Sequence, residues 1–112
     1  MKIQVLYIEE CPNWKKAGAL TKRALDMIGI ADVSMEHVLV RTAAEAEAVA
    51  FAGSPTILLD GNDLFPSVGP TRALACRVYP TEHGLAGTPT QAQLEAAIRQ
   101  RTGDVALSDT DV

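Results

Sequence analysis

The chain has 112 residues, of which 47% are hydrophobic and 21% charged, and its formal net charge is −4. This length and composition indicate one globular domain and exclude a wholly disordered chain or a collagen-like repeat. The 10 basic residues form no stripe that could neutralise several phosphates, so we expect no nucleic-acid partner. No apolar run approaches the ~20 residues that cross a bilayer, and the N-terminus shows no signal-peptide pattern. We therefore expect a cytoplasmic protein without a membrane partner.

Residues 2–8 predict a β-strand that is apolar on both faces. Ile3 and Val5 would lie on one face, and Leu6 and Ile8 on the other. A strand of this kind belongs inside a sheet that is covered on both sides.

A helix is predicted just past Cys11, with Pro12 at its first position, because the N–H that proline lacks would have no partner there. Apolar residues then recur at helical spacing as far as Ile28. Gly29 is expected to end this helix by adopting the left-handed conformation.

The next stretch predicts a strand, a short helix and another strand. Residues 33–40 alternate as a second strand, and Thr42 and Glu45 form a T-x-x-E capping pattern. The helix that follows is expected to end at Gly53, and residues 55–60 predict the third strand.

Residues 60–63 read Asp-Gly-Asn-Asp, a strong tight-turn signal that leads to a fourth strand at residues 64–65. The third and fourth strands should therefore form an antiparallel hairpin. Residues 66–88 have a weaker pattern. A structureless loop of that length is uncommon in a compact domain, so we expect a short helical turn or an extra strand within it.

The last helix is predicted to open at residues 88–89 and to end the domain, which would span residues 1–101. The acidic tail, residues 102–112, is expected to be disordered. The resulting order β-α-β-α-β-β-α predicts an α/β protein with a central sheet of about four strands. Buried positions of the last helix are expected to be Leu94, Ala97 and Ile98.

Cys11 is the first candidate for chemistry, because it lies where a central strand ends and a helix begins. Free N–H groups and the helix dipole stabilise an anion there, which lowers the pKa of a thiol and favours the nucleophilic thiolate. Glu9 and Glu10 oppose this effect, and Lys15 offsets part of it. The alternative is a buried, inert cysteine, although a turn between strand and helix is a poor place to hide a side chain.

Pro55 is the second candidate. It lies between a helix and a strand, and it cannot donate to a strand ladder, so it marks a turn or the first residue of a strand. A cis Ser54–Pro55 bond would be an uncommon feature, and an ordinary trans proline is the alternative.

The C-P-N-W sequence at residues 11–14 and the S-P-T sequence at residues 54–56 together resemble the thioredoxin-like superfamily. The resemblance covers about residues 2–65 and the last helix. With the C-R-V-Y segment at residues 76–79, the chain is similar to small bacterial proteins of that superfamily.

The resemblance implies a thioredoxin-like fold, a mixed sheet with helices on both faces. It also implies that Cys11 is the attacking thiol and that Pro55 is a cis-proline shaping the substrate groove. Around these two motifs, the residues that we expect to contribute to binding are Pro12, Trp14, Ser54, Pro55 and Thr56; for Trp14, packing is the alternative.

The motif departs from the superfamily because Trp14 replaces its second cysteine, so no disulfide can form within the tetrapeptide. It also differs from the C-G-F-S motif of cluster-binding monothiol glutaredoxins, and we expect no cofactor. Cys76 could restore the missing thiol if its segment folds back over Cys11, which would require Cα atoms within roughly 7 Å for a disulfide. Alternatively, Cys76 packs as filler between Leu74 and Val78.

Two histidines are weaker candidates. His37 lies within a predicted strand and is expected to be a surface or core residue. His83 lies in the same segment as Cys76 and could join a metal site, but the cysteine and histidine spacing is no zinc signature. We therefore expect no metal.

The leading hypothesis is thiol-based redox chemistry, as in a thiol-disulfide oxidoreductase. The Cys11 thiolate would attack a disulfide or oxidised thiol, and Cys76, glutathione or another protein thiol would resolve the mixed disulfide. The expected partner is a protein disulfide or a small thiol such as glutathione. One alternative is a module that binds a soft metal ion through Cys11 and Cys76. Another is a degenerate thioredoxin-fold interaction domain in which Pro55 and Trp14 form a peptide groove.

Overall fold

A computed structural model describes residues 1–66 and 69–111, with side chains described for 1–66 and 69–102. Its elements in chain order are β1 (Lys2–Tyr7), α1 (Trp14–Met27), β2 (Ser34–Leu39), α2 (Ala43–Ala48), β3 (Thr56–Leu59), β4 (Asn62–Asp63), β5 (Tyr79–Thr81), β6 (Gly84–Ala86) and α3 (Gln91–Asp111).

The central sheet has four strands in the order β2-β1-β3-β4. Strand β1 runs parallel to β2 and antiparallel to β3, and β3 runs antiparallel to β4. The sheet is therefore mixed, which confirms the predicted α/β class with about four strands. Strands β5 and β6 form a separate antiparallel hairpin, so the extra strand expected within residues 66–88 is present.

Helices cover both faces of this sheet, as the two apolar faces of β1 predict. Ile3 and Val5 pack in one cluster with buried residues of α1 and α3. Leu6 and Ile8 pack in a second cluster with Ala46 of α2.

Helix α1 begins two residues later than predicted. Pro12 and Asn13 form a turn, with Asn13 as the N-cap residue, and the first helical residue is Trp14. Gly29 ends the helix as predicted. Its φ is +80°, and its N–H donates to the Asp26 carbonyl.

The T-x-x-E cap of α2 is confirmed, since the Thr42 hydroxyl accepts a hydrogen bond from the Glu45 N–H at 3.1 Å. The predicted end of this helix at Gly53 is wrong, because the helix stops at Ala48. Ala50 has a φ of +56°, which no α-helix accommodates.

The hairpin between β3 and β4 is also confirmed, but its fourth strand was predicted two residues too late. Asp60 and Gly61 have φ values of +49° and +85°, as the central residues of a two-residue turn require. The turn therefore needs only these two residues, and β4 begins at Asn62.

Helix α3 begins after Thr90 rather than at residues 88–89, because Thr90 and Gln93 form a reciprocal cap. The Thr90 hydroxyl accepts from the Gln93 N–H, and the Gln93 side chain accepts from the Thr90 N–H. Leu94 and Ile98 are fully buried as predicted, and Ala97 is partly buried.

The disorder predicted for residues 102–112 stays a prediction, because the side chains beyond Thr102 and all of Val112 lie outside the described residues. Within the described part of the chain, no helix is both long and apolar enough to cross a membrane.

Candidate thiol site

Cys11 lies in the turn between β1 and α1, and its N–H donates to the Ile8 carbonyl at 3.3 Å. Its side chain is completely buried and belongs to the cluster that contains Leu6 and Phe51. The expectation that a strand-to-helix turn leaves this thiol accessible is therefore wrong. The second apolar cluster extends past the end of β1 and covers the sulfur.

The Ser54–Pro55 peptide bond is cis, and it lies directly against Cys11. The Cys11 thiol lies 3.4 Å from the Ser54 carbonyl oxygen, to which it can donate. The Ser54 hydroxyl accepts a hydrogen bond from the Ile8 N–H at 3.1 Å, which fixes the turn to the end of β1. Ser54, Pro55 and Thr56 are all buried, so none of these predicted binding residues offers surface to a ligand.

The segment before β5 brings Cys76 to the same place. The Ser54 N–H donates to the Ala75 carbonyl at 2.9 Å, and the Arg77 N–H donates to the Ser54 carbonyl at 2.8 Å. This isolated parallel bridge between Ser54 and Cys76 brings Cys76 near Cys11. Both cysteines are free thiols, and Cys76 is exposed where Cys11 is not.

The surroundings of Cys11 favour its thiolate. Burial raises the pKa of Cys11, but hydrogen bonds from the Cys76 thiol, the Asn13 N–H and the Ser54 hydroxyl outweigh it, and the pKa falls below its usual value. The Asn13 side-chain amide adds a longer contact, with 3.9 Å between Nδ2 and the sulfur. The free N–H groups before α1 thus contribute as the sequence predicts, but the largest lowering effect comes from the second cysteine.

The pKa of Cys76 shifts the other way. Its hydrogen bond to Cys11 raises it most, followed by partial burial and the negative charges of Cys11 and Glu10. Cys11 is therefore the more acidic of the two thiols, and when the pair carries one proton that proton lies on Cys76. Glu10, predicted to oppose ionisation of Cys11, instead acts on Cys76.

Arg77 anchors the segment that carries Cys76. Its buried guanidinium forms an ion pair with Asp63, with 2.8 Å between the nitrogen and the oxygen, and donates to the Phe65 carbonyl. It also lies 4.5 Å from the ring centre of Tyr79. We call this set of contacts the arginine anchor. Sequence reasoning missed it, because a charged residue between Cys76 and Val78 gives no sign of being buried.

Two further contacts hold the same segment in place. The Tyr79 hydroxyl donates to the Pro55 carbonyl at 2.5 Å, and burial raises the pKa of Tyr79, so the hydroxyl remains a donor. Gly53 has a φ of +104°, and a Cβ there would come within 2.8 Å of the Arg77 Cβ. Glycine at this position therefore permits both the backbone conformation and the close approach.

Trp14 lies in an aromatic cluster and packs, partly buried, against the apolar cluster that contains Ile3 and Val5. Its ring stacks on Tyr7, with ring centres 4.3 Å apart, and meets His37 edge-on at 5.2 Å. Pro12 is exposed beside the thiol turn. Since Pro55 is buried and Trp14 is stacked on Tyr7, the two do not line an open peptide groove.

His83 is exposed, and no group of three or more metal-binding side chains occurs among the described residues. Comparisons with protein-family models, curated proteins and solved structures gave no match. The α/β architecture and the two neighbouring thiols are therefore the features of the molecule that bear on its function.

Proposed function

We propose that this protein carries out thiol–disulfide exchange, in a thioredoxin-like fold, with Cys11 and Cys76 as its two redox thiols. The observation that carries the proposal is the nearness of two free cysteines, one buried with a lowered pKa and the other exposed. A cysteine before a helix, a cis-proline beside it and a mixed four-stranded sheet support it as well. The proposal includes a cytoplasmic location, where both thiols would be kept reduced.

Burial assigns the first step to Cys76 rather than to Cys11, because a substrate disulfide can reach only the exposed sulfur. As the Cys76 sulfur attacks, its proton passes to the Cys11 thiolate, and one substrate sulfur leaves as a thiolate. The Ser54 carbonyl, 3.4 Å from the Cys11 sulfur, accepts a hydrogen bond from the newly protonated thiol.

The second step releases the substrate. The substrate thiolate released in the first step takes the proton from Cys11. The Cys11 thiolate then attacks the Cys76 sulfur of the mixed disulfide. This forms the Cys11–Cys76 disulfide and expels the second substrate thiolate. The protein loses two electrons and one proton, and the substrate disulfide becomes one thiol and one thiolate.

The test uses 2-hydroxyethyl disulfide, an uncharged probe, with mass spectrometry of the intact chain. The wild-type protein should lose two hydrogens through the internal disulfide. Cys11→Ser should keep one probe molecule on Cys76, because no internal thiol remains to displace it. Cys76→Ser should react slowly, since its remaining thiol is buried.

Two outcomes contradict this proposal. If the wild-type protein is not oxidised, the exchange reaction is absent. If Cys76→Ser traps the probe at the wild-type rate while Cys11→Ser remains unmodified, Cys11 rather than Cys76 makes the first attack. Unfolding curves of both variants show whether serine leaves the fold intact.

The nearness of Cys11 and Cys76 also favours a second candidate function, in which the two thiolates hold a soft metal ion. Among the described residues no third ligand is grouped with them, so the ion would need two-coordinate geometry, as Cu(I) accepts. One equivalent of Cu(I) should then protect both thiols from alkylation. Redox exchange without tight Cu(I) binding would rule out this second function.

A further inference from the structure

A small cleft of about 220 Å³ lies at the carboxyl ends of the parallel strands β1 and β2, and its lining includes Glu9 and Glu10, which directly precede Cys11. The crevice outside the carboxyl ends of strands is where α/β sheets commonly bind ligands. The volume is below the about 300–1,000 Å³ of sites for drug-sized molecules, so the cleft suits a group of amino-acid size.

The cleft adjoins Cys76 in two ways. Leu74, two residues before Cys76, forms part of its wall. Glu10 lines it as well, and its charge is close enough to Cys76 to raise the pKa of that thiol. The wall formed by Leu74 and Glu10 is therefore the side of the cleft that faces the segment of Cys76.

The charges around the cleft have a definite pattern. Arg41 supplies one cation, and Glu9 and Glu10 supply two carboxylates, above a floor that includes Ile8 and Val40. Within the described residues none of these three charged side chains takes part in an ion pair. A guanidinium binds carboxylates well, and a carboxylate pair binds an ammonium group.

We infer that this cleft binds the head group of a small α-amino acid disulfide, with Arg41 facing its carboxylate and Glu9 and Glu10 facing its ammonium group. The reaction of the bound molecule rests on the proposed function, whereas its binding rests on the cleft alone. The sulfur of the bound molecule would lie toward Cys76, and the electrons and protons move as in the exchange described above.

Four disulfides test this charge pattern in the intact protein. Cystine carries both charges, cystamine only the ammonium group, 3,3′-dithiodipropionate only the carboxylate, and 2-hydroxyethyl disulfide neither. Each oxidation rate is divided by the rate with 2-hydroxyethyl disulfide on the same variant. Changes in the reactivity of the thiols themselves then cancel.

Arg41→Gln should lower this ratio about tenfold for cystine and dithiodipropionate, the effect of one charge-assisted hydrogen bond, and leave cystamine unchanged. Glu10→Gln should lower the ratio for cystine and cystamine, and it should not lower the ratio for dithiodipropionate. Arg23→Gln, which removes an exposed cation of α1, is the matched control and should change none of them. Equal ratios for all probes in all variants would overturn the inference while the proposed function stands.

A binding measurement keeps the inference separate from the redox chemistry. S-methylcysteine has the same head group but no reactive sulfur. It should shift the amide resonances of residues 8–10 and 39–41, and Arg41→Gln should abolish these shifts. If S-methylcysteine leaves these resonances unmoved, the cleft does not bind such head groups, whatever the thiols do.

Discussion

Removal of the arginine anchor should cost the protein much of its stability. Arg77 is 5% exposed, and the side chain of its partner Asp63 is 12% exposed. Removing one partner of a buried ion pair typically costs about 3–5 kcal/mol, because the other charge is left buried and unpaired. Asp63 keeps a hydrogen bond from the Phe65 N–H at 2.8 Å, so we expect about 3 kcal/mol for Arg77→Ala, at the lower end of that range.

Urea unfolding at constant pH measures this loss against a total of about 5–15 kcal/mol for a domain of this kind. The matched control is Arg72→Ala. Arg72 pairs with Glu47 at 3.0 Å, but the two side chains are 69% and 53% exposed, so its loss should be below about 1 kcal/mol. The double variant Arg77→Ala/Asp63→Asn should recover part of the loss, with a coupling energy of about 1–3 kcal/mol.

The anchor also positions a thiol. The Arg77 side chain holds the segment whose backbone pairs with Ser54 and carries Cys76. Loss of the anchor should therefore weaken the hydrogen bond to Cys11 and raise the pKa of Cys11. If Arg77→Ala costs no more than Arg72→Ala and leaves the Cys11 pKa unchanged, the buried pair does not anchor this segment.

Three further predictions follow from single contacts. Cys76→Ala should raise the pKa of Cys11, measured by the ultraviolet absorbance of the thiolate, whereas Cys76→Ser keeps a donor and should raise it less; equal values in both variants would contradict the assigned hydrogen bond. Gly53→Ala should lower the free energy of unfolding by more than Gly29→Ala, because both have positive φ but only Gly53 is crowded; equal losses would show that the crowding has no effect. Thr90→Ala should cost about 1 kcal/mol by removing the cap of α3, with Thr90→Ser as the control that keeps it.

The lowered pKa of Cys11 also gives the reduced protein a pH dependence. A group that binds its proton more weakly in the folded state adds stability above its folded pKa. The free energy of unfolding should therefore rise with pH from the folded pKa of Cys11 up to the value of an unfolded thiol, ~8.5. Cys11→Ala should remove this rise, and a wild-type protein whose stability stays flat across that window would contradict it.

The sequence predicted those parts of the fold that local patterns determine. Apolar residues on both faces of β1 indicated its central place, and the T-x-x-E pattern located the start of α2. The errors occur where tertiary contacts decide the ends of elements. Helix α2 stops at Ala48, and Phe51, three residues later, is fully buried in the core. No local sequence pattern indicates this tertiary contact.

In the candidate site, too, local patterns identified some residues, and tertiary contacts determined the others. Cys11 and Pro55 could be found because each interrupts a regular pattern at an element boundary. Arg77 could not, because its burial depends on an ion pair with Asp63, 14 residues earlier in the chain. The burial of Cys11 was missed for a related reason, since its cover comes from Phe51 and the turn at Ser54.

The origin of the second thiol has a consequence for how the site works. In a C-x-x-C motif both cysteines belong to one helix turn, and their spacing is set by that helix alone. Here Cys76 lies near Cys11 because tertiary contacts, the buried pair of Arg77 and Asp63 among them, hold the returning segment against Ser54. The chemistry of the thiols is therefore linked to the stability of that segment. Any change that loosens the anchor should weaken the thiol pair before it unfolds the sheet, since β1 and β3 pair without it.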